Sequence, residues 1–269
     1  MFAHPGARAT AYAVIISAFV VFVSTPVWAG IALPTSQTRT VLTHTDVDNT
    51  VPVAPIPDTD SDAAGDLNPW LIDINSSSSI LTPPPAADAY GHASQDSSFA
   101  PTALSCIGAS DVSVATDIVG PSEARFYSHA FATANSHCEV FFTVDEATDW
   151  SLTGLLTSDS GTSTSLVLFE ADGGTTLLSA YANFDDNLDT VILNETFSLA
   201  PGHNYRLLFA TTSVLAAGHD GEPGFEEDNF SQGTTGTYTG SLSLVPEPTA
   251  LAPLALAALL LRAQARRRR

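Results

Sequence analysis

The sequence predicts an all-β chain: a single β-sandwich or jelly-roll-like ectodomain with an N-terminal signal helix, a disordered linker and a C-terminal apolar helix. Three observations predict it. Apolar and hydroxyl residues alternate with period two through much of residues 86–244. Gly, Pro, Asp and Asn separate these runs at roughly ten-residue spacing, the rhythm of sandwiches and jelly rolls. No stretch of the body carries a capped pattern of period 3.6.

The first element, residues 1–29, has the composition of an export signal. Arg8 supplies a positive start and Ala11–Val23 is an apolar run of 13 residues. That is short against the roughly 20 residues of a spanning helix. Pro26 ends the helix, and Val27 and Ala29 are the small residues a signal peptidase needs ahead of a cut after Ala29. Residues 30–69 are poor in aromatics and rich in Pro, Thr, Asp and Ser, which predicts an acidic, flexible linker. Ser76–Ser79 and Pro83–Pro85 also have loop composition.

The sandwich is expected over 70–244. Trp150, Leu152, Gly154 and Leu156 share one strand face, with Ser151, Thr153, Leu155 and Thr157 on the other. Tyr238, Gly240, Leu242 and Leu244 alternate with Thr239, Ser241 and Ser243 in the same way. Val140, Phe142 and Val144 form another apolar face, as do Tyr205, Leu207 and Phe209. Ser165–Phe169 is apolar on both faces and belongs inside a sheet. Asp172-Gly173-Gly174 between two such runs predicts a tight hairpin, and Pro201-Gly202 a turn before Tyr205.

The last 25 residues form a second label. Val245-Pro246-Glu247-Pro248 precedes an Ala- and Leu-rich segment, Arg262 follows it, and the chain ends in Arg266–Arg269. Thr249–Ala265 is 17 residues, about 25 Å as a helix, and the Arg cluster would hold its end on the cytoplasmic side. This order of Pro-Glu-Pro, apolar helix and Arg-rich end resembles the bacterial PEP-CTERM sorting signal. The resemblance implies an exosortase as processing partner. It also implies delivery to the cell envelope or extracellular matrix, among exopolysaccharide. An ordinary C-terminal membrane anchor is the alternative for the same residues. The body is similar in patterning to β-sandwich ectodomains found ahead of such tails, which implies no activity.

Charge divides between these parts. The 269 residues hold 9 Lys+Arg, all Arg, against 29 Asp+Glu, a net −20. Setting the two labels aside leaves Arg39, Arg125 and Arg206 against 28 acids, a net −25 for the displayed part. Such a surface repels nucleic-acid phosphates and anionic lipid, so neither is expected as a partner.

Cys106 and Cys138 are the only cysteines. In an oxidising compartment they are expected to pair, closing a loop worth about 3–4 kcal/mol; two buried thiols are the alternative. Three acidic stretches are candidate calcium ligands. Asp58, Asp60, Asp62 and Asp66 have positions 1, 3, 5 and 9 of a calcium loop, although Ala63 stands where glycine is needed. Asp185, Asp186 and Asp189 lie between strands, and Asp220 and Asp228 lie in the Gly-rich stretch 218–236. Solvated acidic loops explain the same pattern. No nucleophile elbow, zinc-protease motif or phosphate loop is present. Glu139 and Glu170 are conceivable paired carboxylates, better explained as strand-surface residues. Trp150 or Tyr181 are conceivable sugar platforms, with Trp150 better placed in the core. The expected function is therefore non-enzymatic: an exported envelope or matrix protein. A calcium-assisted carbohydrate-binding module is the alternative.

Overall fold

The computed structural model describes residues 30–49, 57–80, 86–118, 126–186, 188–221 and 228–245. Val27 and Ala29 lie outside them. So do the sorting residues Pro246, Glu247, Pro248, Arg262, Arg266, Arg267, Arg268 and Arg269. The described strands are β1 (Ala32–Asn49), β2 (Asp58–Ala64), β3 (Trp70–Ile80), β4 (Ala86–Ala100), β5 (Ala103–Ile118) and β6 (Phe126–Val144). They continue as β7 (Thr148–Ser158), β8 (Thr162–Glu170), β9 (Thr175–Asn183), β10 (Thr190–Leu199), β11 (Tyr205–Gly221) and β12 (Asp228–Leu244). One 3-10 turn, Phe184–Asp186, is the sole helical element among the described residues.

Every pairing is antiparallel, in two six-stranded sheets. Sheet I runs β2-β1-β6-β11-β8-β9, and sheet II runs β10-β7-β12-β5-β4-β3. The last eight strands pair in nested order: β5 with β12, β6 with β11, β7 with β10, β8 with β9. Successive nested pairs alternate between the sheets, which is the wrapping of a jelly roll. β1 and β2 extend sheet I beyond β6, and β4 and β3 extend sheet II beyond β5.

The period-two patterns give these strands their buried faces. In β7, Trp150, Leu152 and Leu156 are buried; in β12, Tyr238 and Leu242 are. β8 sits between β11 and β9, in agreement with its two apolar faces. Asp172–Gly174 turns the β8–β9 hairpin, with Gly174 at φ 65°. Pro201-Gly202 makes a turn as expected, with Gly202 at φ 85°, but the chain crosses there from sheet II to sheet I.

The linker reading of 30–69 is corrected in part. β1 pairs along its length with β6, and β2 with β1, so both belong to the sandwich. The inward side chains of β1, Arg39, Val41, Thr43, Thr45 and Val47, mix apolar groups with hydroxyls and a charge, which hides the period-two signal. The Thr and Val content is the signal that favours a strand. Pro34 sits where the β1–β6 register shifts, a tolerated place for a residue without a ladder donor. Ser76–Ser79 is likewise strand rather than loop, inside β3. Buried Ser78 bonds Thr45 Oγ1 at 2.8 Å, so a hydroxyl can face the interior there.

The interior has two apolar regions of different grain. One is built from large side chains around Trp150, Phe142, Phe209 and Tyr238. The other is small-grained, with Ala87, Ala89, Ala93, Ala130, Ala132 and Ala134 among a few Val, Ile and Leu. A belt of buried hydroxyls crosses the interior from sheet to sheet. Ser110 Oγ on sheet II lies 2.7 Å from Ser213 Oγ and 3.0 Å from Thr211 Oγ1 on sheet I. Thr164 continues from Thr211, and Thr162 joins Ser213 to Thr234. Each of these six hydroxyls has a partner, so the belt avoids the cost of an orphaned buried polar group.

Gly236 makes room for this belt. A Cβ there would stand 2.2 Å from Thr162 Cγ2 and 2.3 Å from Thr211 Oγ1. Gly236→Ala is expected to lower stability by about 1–3 kcal/mol through overpacking and broken hydroxyl contacts. Urea unfolding of the variant checks this; an unchanged midpoint would show that the belt yields freely.

Candidate functional site

On the outer face of sheet II, near the ends of β3, β4, β5 and β12, lies an open hollow of about 230 Å³. Register builds it. Ser79, Asp88, Ala115 and Ser231 form one cross-strand row, and Ser77, Tyr90, Ser113 and Gly233 the next. All the other side chains in these rows are short, so the Tyr90 ring has only serines opposite it and is 40% exposed. Ser79 Oγ donates to Asp88 Oδ1 at 2.5 Å, which leaves the second carboxylate oxygen without a described partner in the hollow. Ser77 N–H, on the outer edge strand β3, donates to Asp58 Oδ2 at 2.9 Å, which ties the hollow's rim to β2. The hollow thus combines one aromatic ring, several hydroxyls and one carboxylate.

The sequence-predicted residues are distributed as follows. Cys106 on β5 and Cys138 on β6 form a disulfide, with Cα atoms 6.5 Å apart. It joins an interior strand of one sheet to an interior strand of the other. Asp58, Asp60 and Asp62 do not converge as a calcium loop. They lie in extended β2, paired along its length with β1, so the backbone does not curl to gather the three carboxylates around one ion. Asp60 and Asp62 accept from the next residue's N–H. Asp66 is taken by other partners: Asn68 N–H and side-chain amide, and the Arg39 guanidinium at 3.5 Å.

Asp186 closes the 3-10 turn and Asp189 precedes β10. Asp185 is placed by its backbone alone, in the same turn. Asp220 and Asp228 are placed by backbone on β11 and β12, in different sheets, so most of 218–236 is strand rather than loop. Among the described residues no group of three or more His, Cys, Asp or Glu is arranged to hold a metal.

Glu139 and Glu170 lie on opposite faces of sheet I. Glu139 is on the outward face of β6, whereas Glu170 ends β8 in step with its inward residues. Glu139 receives a hydrogen bond from Arg206 Nε and lies 3.7 Å from His137 Nε2. Glu170 pairs with His203 at 2.8 Å. Beside it, hydrogen bonds from the Asn204 side chain and backbone hold the Asp172 carboxyl below its usual range, and His203 adds to this. Trp150 is fully buried; Tyr181 is 50% exposed on edge strand β9.

Sequence reasoning missed Arg39 and the Tyr90 hollow. Arg39 is fully buried and donates to Gln37 Oε1, the Asn68 and Asp66 carbonyls and Ser97 Oγ. Its guanidinium stands 5.6 Å from the Trp70 ring and 5.2 Å from Phe99. It pins the crossover from β2 to β3, a structural task. Burial pulls its pKa down, with Asp66 opposing. Tyr205 has a similar role: its hydroxyl accepts from Ala200 N–H at 2.9 Å, a tyrosine corner that fixes the Pro201-Gly202 turn.

No protein-family model matches the sequence, and no curated protein matches it. Solved structures align only loosely. A structure of the infectious bursal disease virus Gx strain is 9% identical, with 82% of this chain and 71% of that one covered, at a TM-score of 0.22. The VP2 subviral particle of infectious bursal disease virus is 12% identical over 80% of this chain and 57% of that one, at 0.21. A GH31 alpha-xylosidase from Xanthomonas citri is 7% identical over 65% and 28%, at 0.16.

Proposed function

We propose that this chain is a non-enzymatic exported protein, displayed in the cell envelope or extracellular matrix as a disulfide-tied β-sandwich. Signal peptidase acts on residues 1–29 and an exosortase on residues 245–269. The observation that carries the reading is the pair of terminal labels around a nearly cation-free body. Six of the chain's nine arginines fall within those labels. The Cys106–Cys138 disulfide supports the same address, because such bonds persist in oxidising compartments. The hydroxyl-rich outer strand faces, with Thr235, Thr237 and Thr239 in one row of β12, suit a permanently hydrated setting.

The test is sorting. Changing Pro246, Glu247 and Pro248 together to Ala is expected to leave an unprocessed, membrane-retained precursor, seen as a larger band in the membrane fraction. Tail processing at the wild-type rate would overturn the exosortase step.

A further inference from the structure

We infer that the hollow beside Tyr90 is a binding subsite for one unit of a neutral saccharide chain. The inference concerns the folded body and does not depend on how the tail is sorted.

Three features point to this chemistry. A pyranose has an apolar C–H face and a rim of hydroxyls. It is recognised by an aromatic ring beneath the face and by hydrogen-bonding groups around the rim. Tyr90 supplies the ring, and its cross-strand neighbours Ser77 and Ser113 are too short to cover it. Ser79, Asp88 and Ser231 supply the rim. Because Ser79 spends its proton on Asp88 Oδ1, its oxygen and the second carboxylate oxygen remain as acceptors for sugar hydroxyls. A ligand carrying hydroxyl donors satisfies them, whereas a purely apolar ligand would bury them unpaired.

Size and charge narrow the class. At about 230 Å³ the hollow is smaller than the roughly 300–1,000 Å³ of drug-sized pockets, which fits a single ring. It is open on the sheet face, so a longer chain can continue past it. Asp88 and the net −25 of the displayed part disfavour uronates and sulfated glycans relative to neutral sugars. Tyr181 is more exposed, at 50% against 40% for Tyr90, but on the other sheet and outside the hollow, so it serves as an internal control.

The experiment is NMR or calorimetric titration of the full-length protein with cellohexaose, laminarihexaose and maltohexaose, and with a galacturonate hexamer as the charged counterpart. Binding is expected for at least one neutral hexasaccharide at concentrations up to about 10 mM. Tyr90→Ala should weaken it by at least about tenfold, Tyr90→Phe by less than about threefold, and Tyr181→Ala not at all. Asp88→Ala should also weaken it. No binding of any neutral hexamer, tighter binding of the galacturonate, or undiminished binding by Tyr90→Ala would each overturn the proposal. Thermal unfolding of each variant separates lost binding from lost fold.

Discussion

The double variant Cys106→Ala, Cys138→Ala is expected to unfold with about 3–4 kcal/mol less stability than the parent. The disulfide closes a sequence separation of 32 residues, and the chain-entropy model gives a value in that range. Its position raises the consequence. β5 and β6 lie inside opposite sheets, and both cysteines are buried beside the large-grained core. The bond therefore tethers the two layers through the middle, where loss would let them separate. Urea denaturation with and without reductant tests this. The parent should lose its advantage when reduced, and the double variant should ignore reductant. A reduced parent as stable as the oxidised one would show that packing alone holds the layers.

Arg39→Ala is expected to cost about 3–5 kcal/mol, chiefly through hydrogen-bonding geometry. The guanidinium serves two backbone carbonyls, a buried serine and a glutamine at once. Its removal orphans acceptors at about 1–3 kcal/mol each where water cannot replace it, and it empties the space between Trp70 and Phe99. Two further variants separate charge from shape. Arg39→Lys keeps the charge but lacks the planar fork, and should recover less than half of the loss. Asp66→Asn should change stability by under about 1 kcal/mol, because that carboxylate is 66% exposed and its firmest tie to Arg39 runs through the backbone carbonyl. Thermal unfolding, with limited proteolysis across 64–70, measures all three. A large effect of Asp66→Asn together with full rescue by lysine would mean that an ion pair, rather than the fork, holds the crossover.

The strands that were legible in sequence share one property: their inward residues are large and apolar. Trp150, Leu152 and Leu156 announce β7, and Tyr238 and Leu242 announce β12. β1, and β3 over Ser76–Ser79, lack that signal because their inward positions hold Arg39, Thr43, Thr45, Ser76 and Ser78. Thr45 and Ser78 bond each other across the sandwich, whereas Thr43 Oγ1 and Ser76 Oγ are buried without a described partner, and these short polar side chains give the strands the composition of a linker. Asp58–Asp62 forms no curled loop for a related reason. Spacing by two describes both a curled loop and the exposed side of a strand, and pairing with β1 selects the strand.

By itself the sequence determined the local facts: alternation and hence strand faces, the Asp172–Gly174 hairpin, the Pro201-Gly202 turn and a pair of cysteines free to bond. The strand faces and turns depend on residues within a few positions of one another. The tertiary structure alone decided which strands are neighbours. β5 lies beside β12, and β6 beside β11, across separations of up to more than a hundred residues. That choice puts Ser110 against Ser213, closes Arg39 between two aromatic rings and sets serines on either side of Tyr90. Period two fixes the side to which a residue points; only long-range pairing fixes what it meets there.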